Sequence, residues 1–230
     1  QNIHCEDIPD RPNALKVKKR VNIFKTIEFK LGFFELQDAS SQLVAEFLDV
    51  NTNHKILDAC AGAGGKALHI ASLLNNKGNI IATDIHEFKL KELKKRARRN
   101  GIHNITTKII DNKFIKKNKE KFDRVLIDAP CSGFGVIRRN PDSKWKLAPE
   151  FLKKIRETQQ HILQQYSKML KKGGKLVYAT CSILPSENQL QIEKFLTSEE
   201  GKDFTLVKQN KVLAHTSGFD GFYMAQLEKK

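Results

Sequence analysis

Five short apolar runs alternate with segments of helical periodicity between residues 55 and 180, and few folds accept that order. The runs are KILDAC (55–60), NIIATD (79–84), ITTKII (105–110), RVLID (124–128) and KLVYAT (175–180). Each is rich in Ile, Val and Leu, as strands buried on both faces of a parallel sheet are. Helical spacing runs through 66–75, 86–100, 113–119 and 150–171. Strand, helix, strand, helix is the βαβ signature of a doubly wound α/β sheet. A helix over 38–50, capped by Asp38 or Ser40, precedes the first strand. A helix over 186–199 follows the last run. Two late strands, FTLVK (204–208) and GFYMAQL (221–227), are expected to pair and close one edge of the sheet.

The charge is lopsided. Lys and Arg number 41 against 26 acidic residues, a net +15, and such a field attracts nucleic acid before anything else. KLKELKKRARRNG (89–101) holds seven of the basic residues. Phe88, Leu90, Leu93 and Ala97 give that segment an apolar stripe, so an amphipathic helix with a basic outer face is expected. No run approaches the roughly 18 apolar residues of a membrane span, and no signal-peptide pattern is visible, which gives a cytoplasmic expectation and no membrane partner. The chain does not begin with Met, so a complete protein and a fragment of a longer one are both open. Cys5, Cys60, Cys131 and Cys181 are widely spaced with no C-x-x-C pair, so neither a metal site nor a disulfide framework is expected.

In an open α/β sheet the ligand lies beyond the carboxyl ends of the strands. The first strand runs into DACAGAGGK (58–66), whose Gly62, Gly64 and Gly65 allow a tight turn and a close approach to a ligand. The loop does not have the spacing of a phosphate-binding P-loop. Asp84 ends the second strand, where a carboxylate accepts ribose hydroxyls. Asp111 follows the third and Asp128 ends the fourth. A glycine turn plus strand-end acids fits NAD and S-adenosylmethionine alike.

The cysteines separate the two. DAPCSG (128–133) and ATCS (179–182) each place a cysteine just after a strand. Hydride transfer has no use for two thiols at the rim, whereas methylation of carbon 5 of a pyrimidine needs one. A thiolate adds to carbon 6, and the enamine so formed attacks a sulfonium methyl from carbon 5. Loss of the carbon-5 proton then expels the thiol. A second thiol close by could assist release. This chemistry does not by itself choose between Cys131 and Cys181 as nucleophile.

From about residue 32 to 227 these motifs resemble the RNA 5-methylcytosine methyltransferases of the NOL1/NOP2/Sun type, also called the RsmB/NOP family. The resemblance is carried by FFELQDASSQL (33–43), DACAGAGGK, DAPCSGFGVIRRNPDSKW (128–145), YATCSILPSEN (178–188) and GFDGFYMAQL (218–227). It implies a Rossmann-like class I S-adenosylmethionine-dependent methyltransferase fold. It favours Cys181 as the nucleophile and Cys131 as the residue that promotes release. Asp128 and Pro130 would hold the target base, with Lys66 near the catalytic centre, where a cation favours a thiolate. Cys60, Ala61, Gly62, Ala63, Gly64, Gly65, Lys66, Asp84, Asp111 and Asp128 would line the S-adenosylmethionine pocket. Residues 32–230 would form the catalytic domain, and residues 1–31 a partial RNA-binding subdomain or linker. The expected partner is RNA, ribosomal or transfer, and the expected state a monomer. The other reading is a non-catalytic RNA-binding or assembly factor that keeps the fold.

Two departures stand out. The family loop reads A-P-G-G-K followed by Thr or Ser, whereas this chain has Gly62-Ala63-Gly64-Gly65-Lys66-Ala67, which loosens the loop before binding. Trp145, with Arg138, Arg139 and Lys144, could clamp RNA or pin a loop to the sheet. Glu187 and Asn188 open a predicted helix, for which capping is a sufficient role.

Overall fold

Burial on both faces explains why four of the apolar runs, at 55–60, 79–84, 124–128 and 175–180, show no alternation; the run at 105–110 lies at the sheet edge and is largely exposed. In β-strands successive side chains point to opposite faces. Ile56 and Leu57, neighbours in sequence, enter two different cores. The same division separates Val125 and Ile127 from Leu126, and Leu176 and Tyr178 from Val177 and Ala179.

The computed structural model describes residues 3–9 and 11–230; residues 1, 2 and 10 of the expected N-terminal subdomain lie outside the described residues. The elements are β1 (Cys5–Ile8), β2 (Arg11–Val17), α1 (Ile27–Lys30), α2 (Ala39–Phe47), β3 (Lys55–Asp58), α3 (Gly65–Leu73), β4 (Asn79–Asp84), α4 (Glu87–Arg99), β5 (Ile105–Ile109), α5 (Asn112–Lys117), β6 (Phe122–Asp128), α6 (Ser143–Lys146), α7 (Pro149–Tyr166), β7 (Leu170–Thr180), α8 (Gln189–Leu196), β8 (Phe204–Val212), α9 (Ala214–Ser217) and β9 (Phe222–Lys229). Among the described residues the main sheet runs β5-β4-β3-β6-β7-β9-β8. Its first five members are parallel, and β9 lies antiparallel between β7 and β8. The two late strands thus close one edge, as expected. The edge strand β8 is mostly exposed and carries Lys208 and Lys211, which discourages pairing with another chain.

One core packs α7 and α8 against the sheet through Ile162, Leu163, Ile192 and Phe195. The other packs α2 and α3 through Val44, Leu48, Ile70 and Leu74. Asp38 caps α2 by accepting the Ser40 N–H at 2.9 Å, so Asp38 is the cap and Ser40 lies within the helix. The predicted helix 150–171 stops at Tyr166, because Leu170 is fully buried and pairs with Phe122 as the first residue of β7.

Helix α4 corrects one detail of its apolar stripe. Leu90, Leu93 and Ala97 are buried, but Phe88 is 68% exposed. Residues 90, 93 and 97 share one face at 3.6 residues per turn; residue 88 is on the opposite side. Its ring lies 5.5 Å from that of His86 instead.

The N-terminal stretch, unassigned by periodicity, contains the antiparallel hairpin β1–β2. The arm that follows is fastened to α4. Glu35 accepts from Arg96 at 3.1 Å, from Asn100 at 2.7 Å and from Arg99, while the Arg99 guanidinium lies 3.7 Å from the Phe29 ring centroid. Such a stacked cation gains more than an exposed ion pair does. Arg96 also donates to the Ala63 carbonyl at 2.8 Å, so one side chain braces both the arm and the loop after β3. No helix among the described residues is long and apolar enough to cross a membrane.

The division of β3 between two cores gives a direct test. Leu57→Ala should lower unfolding free energy by about 2–5 kcal/mol, because a rigid central strand cannot collapse around the cavity. Urea unfolding measures this, and a loss under ~1 kcal/mol would contradict the packing described.

Candidate active site

The carboxyl ends of β3, β4, β6 and β7 meet at one rim because these strands are parallel and close neighbours in the sheet. After β3 the chain turns through 59–64 into α3. Gly64 is the N-cap at φ +92°, and a Cβ there would lie 2.5 Å from Leu93 Cγ, so backbone and packing both demand glycine. The loop is tied to β4: Ala61 N–H donates to the Thr83 carbonyl at 2.8 Å and the Thr83 hydroxyl to the Ala59 carbonyl at 3.1 Å. Asp84 receives the N–H groups of Gly62 at 3.0 Å and His86 at 2.8 Å.

A cleft of 230 Å³ opens on this rim, lined by Cys60, Gly62, Asp84, Asp128 and Pro130 of the expected residues. Ile85, Ile110, Ile162 and Tyr166 form its apolar walls; they read as ordinary core residues in the sequence. The rest of the loop is spent on structure. Ala61 packs toward α3 and α4, the Ala63 carbonyl takes the Arg96 bond, and Gly65 borders a separate cavity beside the arm. Asp111 is not among the lining residues. It is exposed, and its carboxylate caps α5 by accepting the Phe114 N–H at 2.6 Å.

Asp58 is the electrostatic anomaly. It is 1% exposed, and neither carboxylate oxygen makes a hydrogen bond of ordinary geometry. Burial, reinforced by the charge of Asp128, pushes its pKa up to about 7. Lys66 Nζ donates to Asp128 at 2.6 Å and lies 5.0 Å from the Phe222 ring centroid. An orphaned buried carboxyl is costly unless a polar or cationic group meets it. Two acids lining the cleft, the buried Asp58 at the end of β3 and the apolar walls fit a ligand that combines a cationic centre, ribose hydroxyls and a flat ring, and S-adenosylmethionine has all three.

Beside the cleft, Cys131 Sγ lies 3.2 Å from Cys181 Sγ. The hydrogen bond from the Cys131 thiol lowers the pKa of Cys181, with Lys66 adding to the effect, and the same bond raises Cys131. The backbone at this point is closely packed. Gly135 N–H donates to the Cys181 carbonyl at 2.8 Å, and a Cβ on Gly135 would fall 2.0 Å from the Gly221 carbonyl oxygen.

Capping does not describe Glu187 and Asn188, which corrects the reading of both. Neither side chain caps α8. Glu187 is fully buried and accepts from Ser132 N–H at 2.8 Å, Ser132 Oγ at 2.5 Å, Ser182 Oγ at 2.7 Å and Gln159 Nε2 at 3.0 Å. Asn188 accepts from the Thr180 hydroxyl at 2.6 Å and donates to the Ser182 carbonyl at 3.0 Å. The signal was present in the sequence: each strand-end cysteine is followed by a serine. Two hydroxyls aimed at one place need a shared acceptor.

Of the expected substrate residues, Pro130 lines the cleft, while Arg138, Arg139 and Trp145 are not among its lining residues. Arg139 donates to the buried Asp220 at 2.8 Å, and Arg138 to the Gly218 carbonyl at 2.8 Å, so both brace the 218–220 turn. Trp145 is 81% exposed beside Lys144, which removes the reading that it pins a loop to the sheet.

Asp58 gives a prediction with a fixed sign. Its folded pKa of about 7 exceeds the unfolded value near ~3.9, so between these pH values the folded state holds a proton that the unfolded state has lost. Stability therefore falls as pH rises through that window. Asp58→Asn should remove this slope and be the more stable form at pH 8, by on the order of a few kcal/mol. Urea unfolding of both proteins at pH 5 and pH 8 checks it; a pH-independent difference would refute the buried, unpartnered carboxyl.

Residues 45–228 match the family model for the 16S rRNA methyltransferases RsmB/F. The probable ribosomal RNA small subunit methyltransferase B of Bacillus subtilis (strain 168) is 38% identical over 235 residues, covering 95% of this chain and 52% of the relative. The ribosomal RNA small subunit methyltransferase B of Proteus mirabilis (strain HI4320) is 40% identical over 221 residues, covering 95% and 51%. The chain thus spans about half the length of the curated relatives it matches. Among solved structures, NSun6 from Pyrococcus horikoshii with SFG superposes with a TM-score of 0.84 at 27% identity, over 94% of this chain and 59% of that one. A methyltransferase homologue from Pyrococcus horikoshii gives 0.86 at 26%, over 100% and 79%. The sheet is that of the Rossmann-like class I methyltransferases, and the chain belongs to the RsmB/F family of S-adenosylmethionine-dependent 16S rRNA methyltransferases.

Proposed function

We propose that residues 32–230 form the catalytic domain of an S-adenosylmethionine-dependent RNA methyltransferase that modifies carbon 5 of a cytosine through a covalent adduct on Cys181. The contact of two thiols at 3.2 Å carries this reading, because pyrimidine carbon-5 chemistry is the methylation that uses a nucleophilic thiol and a second thiol together. The names of the curated relatives favour small-subunit ribosomal RNA over transfer RNA.

Cys60, Gly62, Asp84 and Asp128 along the apolar cleft would hold S-adenosylmethionine, which would supply the methyl group. Cys181 carries the thiolate, stabilised by the Cys131 S–H and by Lys66, and adds to carbon 6 of the base. Cys131 keeps its proton beside the Cys181 sulfur, which suits a group that assists release. Asp128 and Pro130 border both the cleft and the thiols, so the base is read where Lys66 already holds the Asp128 carboxylate. The base has to leave its stack to reach Cys181. The basic surface of α4, with Lys91, Lys94, Lys95 and Arg98 exposed, draws in the phosphate backbone. Residues 1–31 belong to the RNA-binding part, and the exposed Trp145 with Lys144 offers a further RNA contact.

The test is methyl transfer from labelled S-adenosylmethionine to small-subunit ribosomal RNA, followed by digestion to nucleosides. The expected product is 5-methylcytidine. Cys181→Ala should abolish it, and Cys131→Ala should accumulate a protein–RNA adduct. An inactive, adduct-free Cys131→Ala with an active Cys181→Ala would reverse the two roles. RNA binding without any labelled nucleoside would favour the assembly-factor reading.

A further inference from the structure

Two loops bearing the thiols come from different strands, and something has to fix the distance between them. The thiol contact itself is a weak bond. The stronger tie lies one residue further along each loop, where Ser132 and Ser182 both donate to Glu187. A buried carboxylate is tolerated when it accepts several hydrogen bonds, and hydrogen bonds to a charged acceptor are about twice as strong as neutral ones. Gln159 from α7 supplies a further donor and also binds the Pro130 carbonyl at 3.0 Å, so the anchor reaches the backbone just before Cys131. The Ser132 and Ser182 hydroxyls are 3.2 Å apart, mirroring the thiols.

We propose that Glu187 is a positioning residue that acts on Cys181 through Cys131: by clamping residue 132 to residue 182 it holds the Cys131 S–H where it donates to the Cys181 sulfur. This deepens the two-thiol reading above and rests on it for its meaning in catalysis, but thiol chemistry alone tests it. Apart from Glu187, whose own charge helps raise the Cys131 thiol, the ionisable groups around the pair are Lys66 and Asp128 on the Cys181 side, Arg139 across the 218–220 turn, and Tyr178 beneath Cys131. None of them binds the Glu187 carboxylate. Tyr178 touches only its backbone carbonyl, at 2.8 Å. Substituting the carboxylate therefore leaves their contacts in place.

The experiment is the pH profile of Cys181 alkylation by iodoacetamide, read site by site by mass spectrometry, with no RNA or cofactor present. Wild type, Glu187→Gln, Cys131→Ala and the double variant are compared. A carboxamide cannot accept all four donors, so Glu187→Gln should loosen the clamp. Alkylation of Cys181 at pH 7 should then slow about tenfold, the equivalent of a one-unit rise in thiol pKa. Cys131→Ala should slow it similarly. In the double variant Glu187→Gln should add nothing, because its route through Cys131 is already gone. A shift of equal size in the Cys131→Ala background, or no shift with Cys131 intact, would overturn the proposal. If Glu187→Gln fails to fold, Ser132→Ala removes one donor and should give the same epistasis at smaller size; its absence would count equally against the clamp. Failure of the methylation assay with this epistasis intact would remove the proposed reaction and leave the clamp standing.

Discussion

Parallel pairing of β6 with β7 is the constraint on which the site depends. The ladder sets Asp128 opposite Ala179, and the Ala129 N–H continues it to the Ala179 carbonyl at 2.9 Å. Both chains then leave the sheet at the same height and on the same side. Two cysteines fifty positions apart meet because the strands before them are neighbours in register. A one-residue slip would exchange the faces of β7 and send Val177 and Tyr178 into the wrong cores. The hydrophobic effect thus sets the active-site geometry indirectly: each core accepts only one register, and that register places the sulfurs.

Charge is divided between inside and outside. The surface is basic, with α4 presenting a row of lysines, while Asp84 and Asp128 line the cleft, the first paired with Lys89 and the second with Lys66, and Asp58 lies buried at the end of β3. The two fields serve different ligands. A polyanion is drawn to the outside, and a cationic small molecule suits the inside.

Much of this was legible in the sequence, for physical reasons. Strands buried on both faces leave near-continuous apolar runs, so β3, β4, β6 and β7 stood out, while β5, at the exposed edge, was marked by its isoleucines alone. Chemistry that needs a thiolate leaves a cysteine where a strand ends, so Cys131 and Cys181 stood out as well. What escaped lacks a local signature. Glu187 resembles any acid at a helix start, and its role appears only when two loops from different strands converge on it. Asp111 has the position of a cleft acid but the geometry of a cap, since Phe114 offers it a nearer donor. Phe88 is apolar and adjacent to a stripe, yet two positions from Leu90 places it across the helix. The walls Ile85 and Ile110 are indistinguishable from core until the sheet shows which apolar residues stand at its rim.

Arg96 joins two segments that are far apart in the chain. One guanidinium serves Glu35 of the arm and the carbonyl of Ala63 in the loop after β3. The two cannot drift independently during evolution. An insertion in the arm that moved Glu35 would release Arg96 and leave an acceptor of the glycine loop to water. The arm thus steadies, through one guanidinium, a loop that lies outside its own stretch of chain.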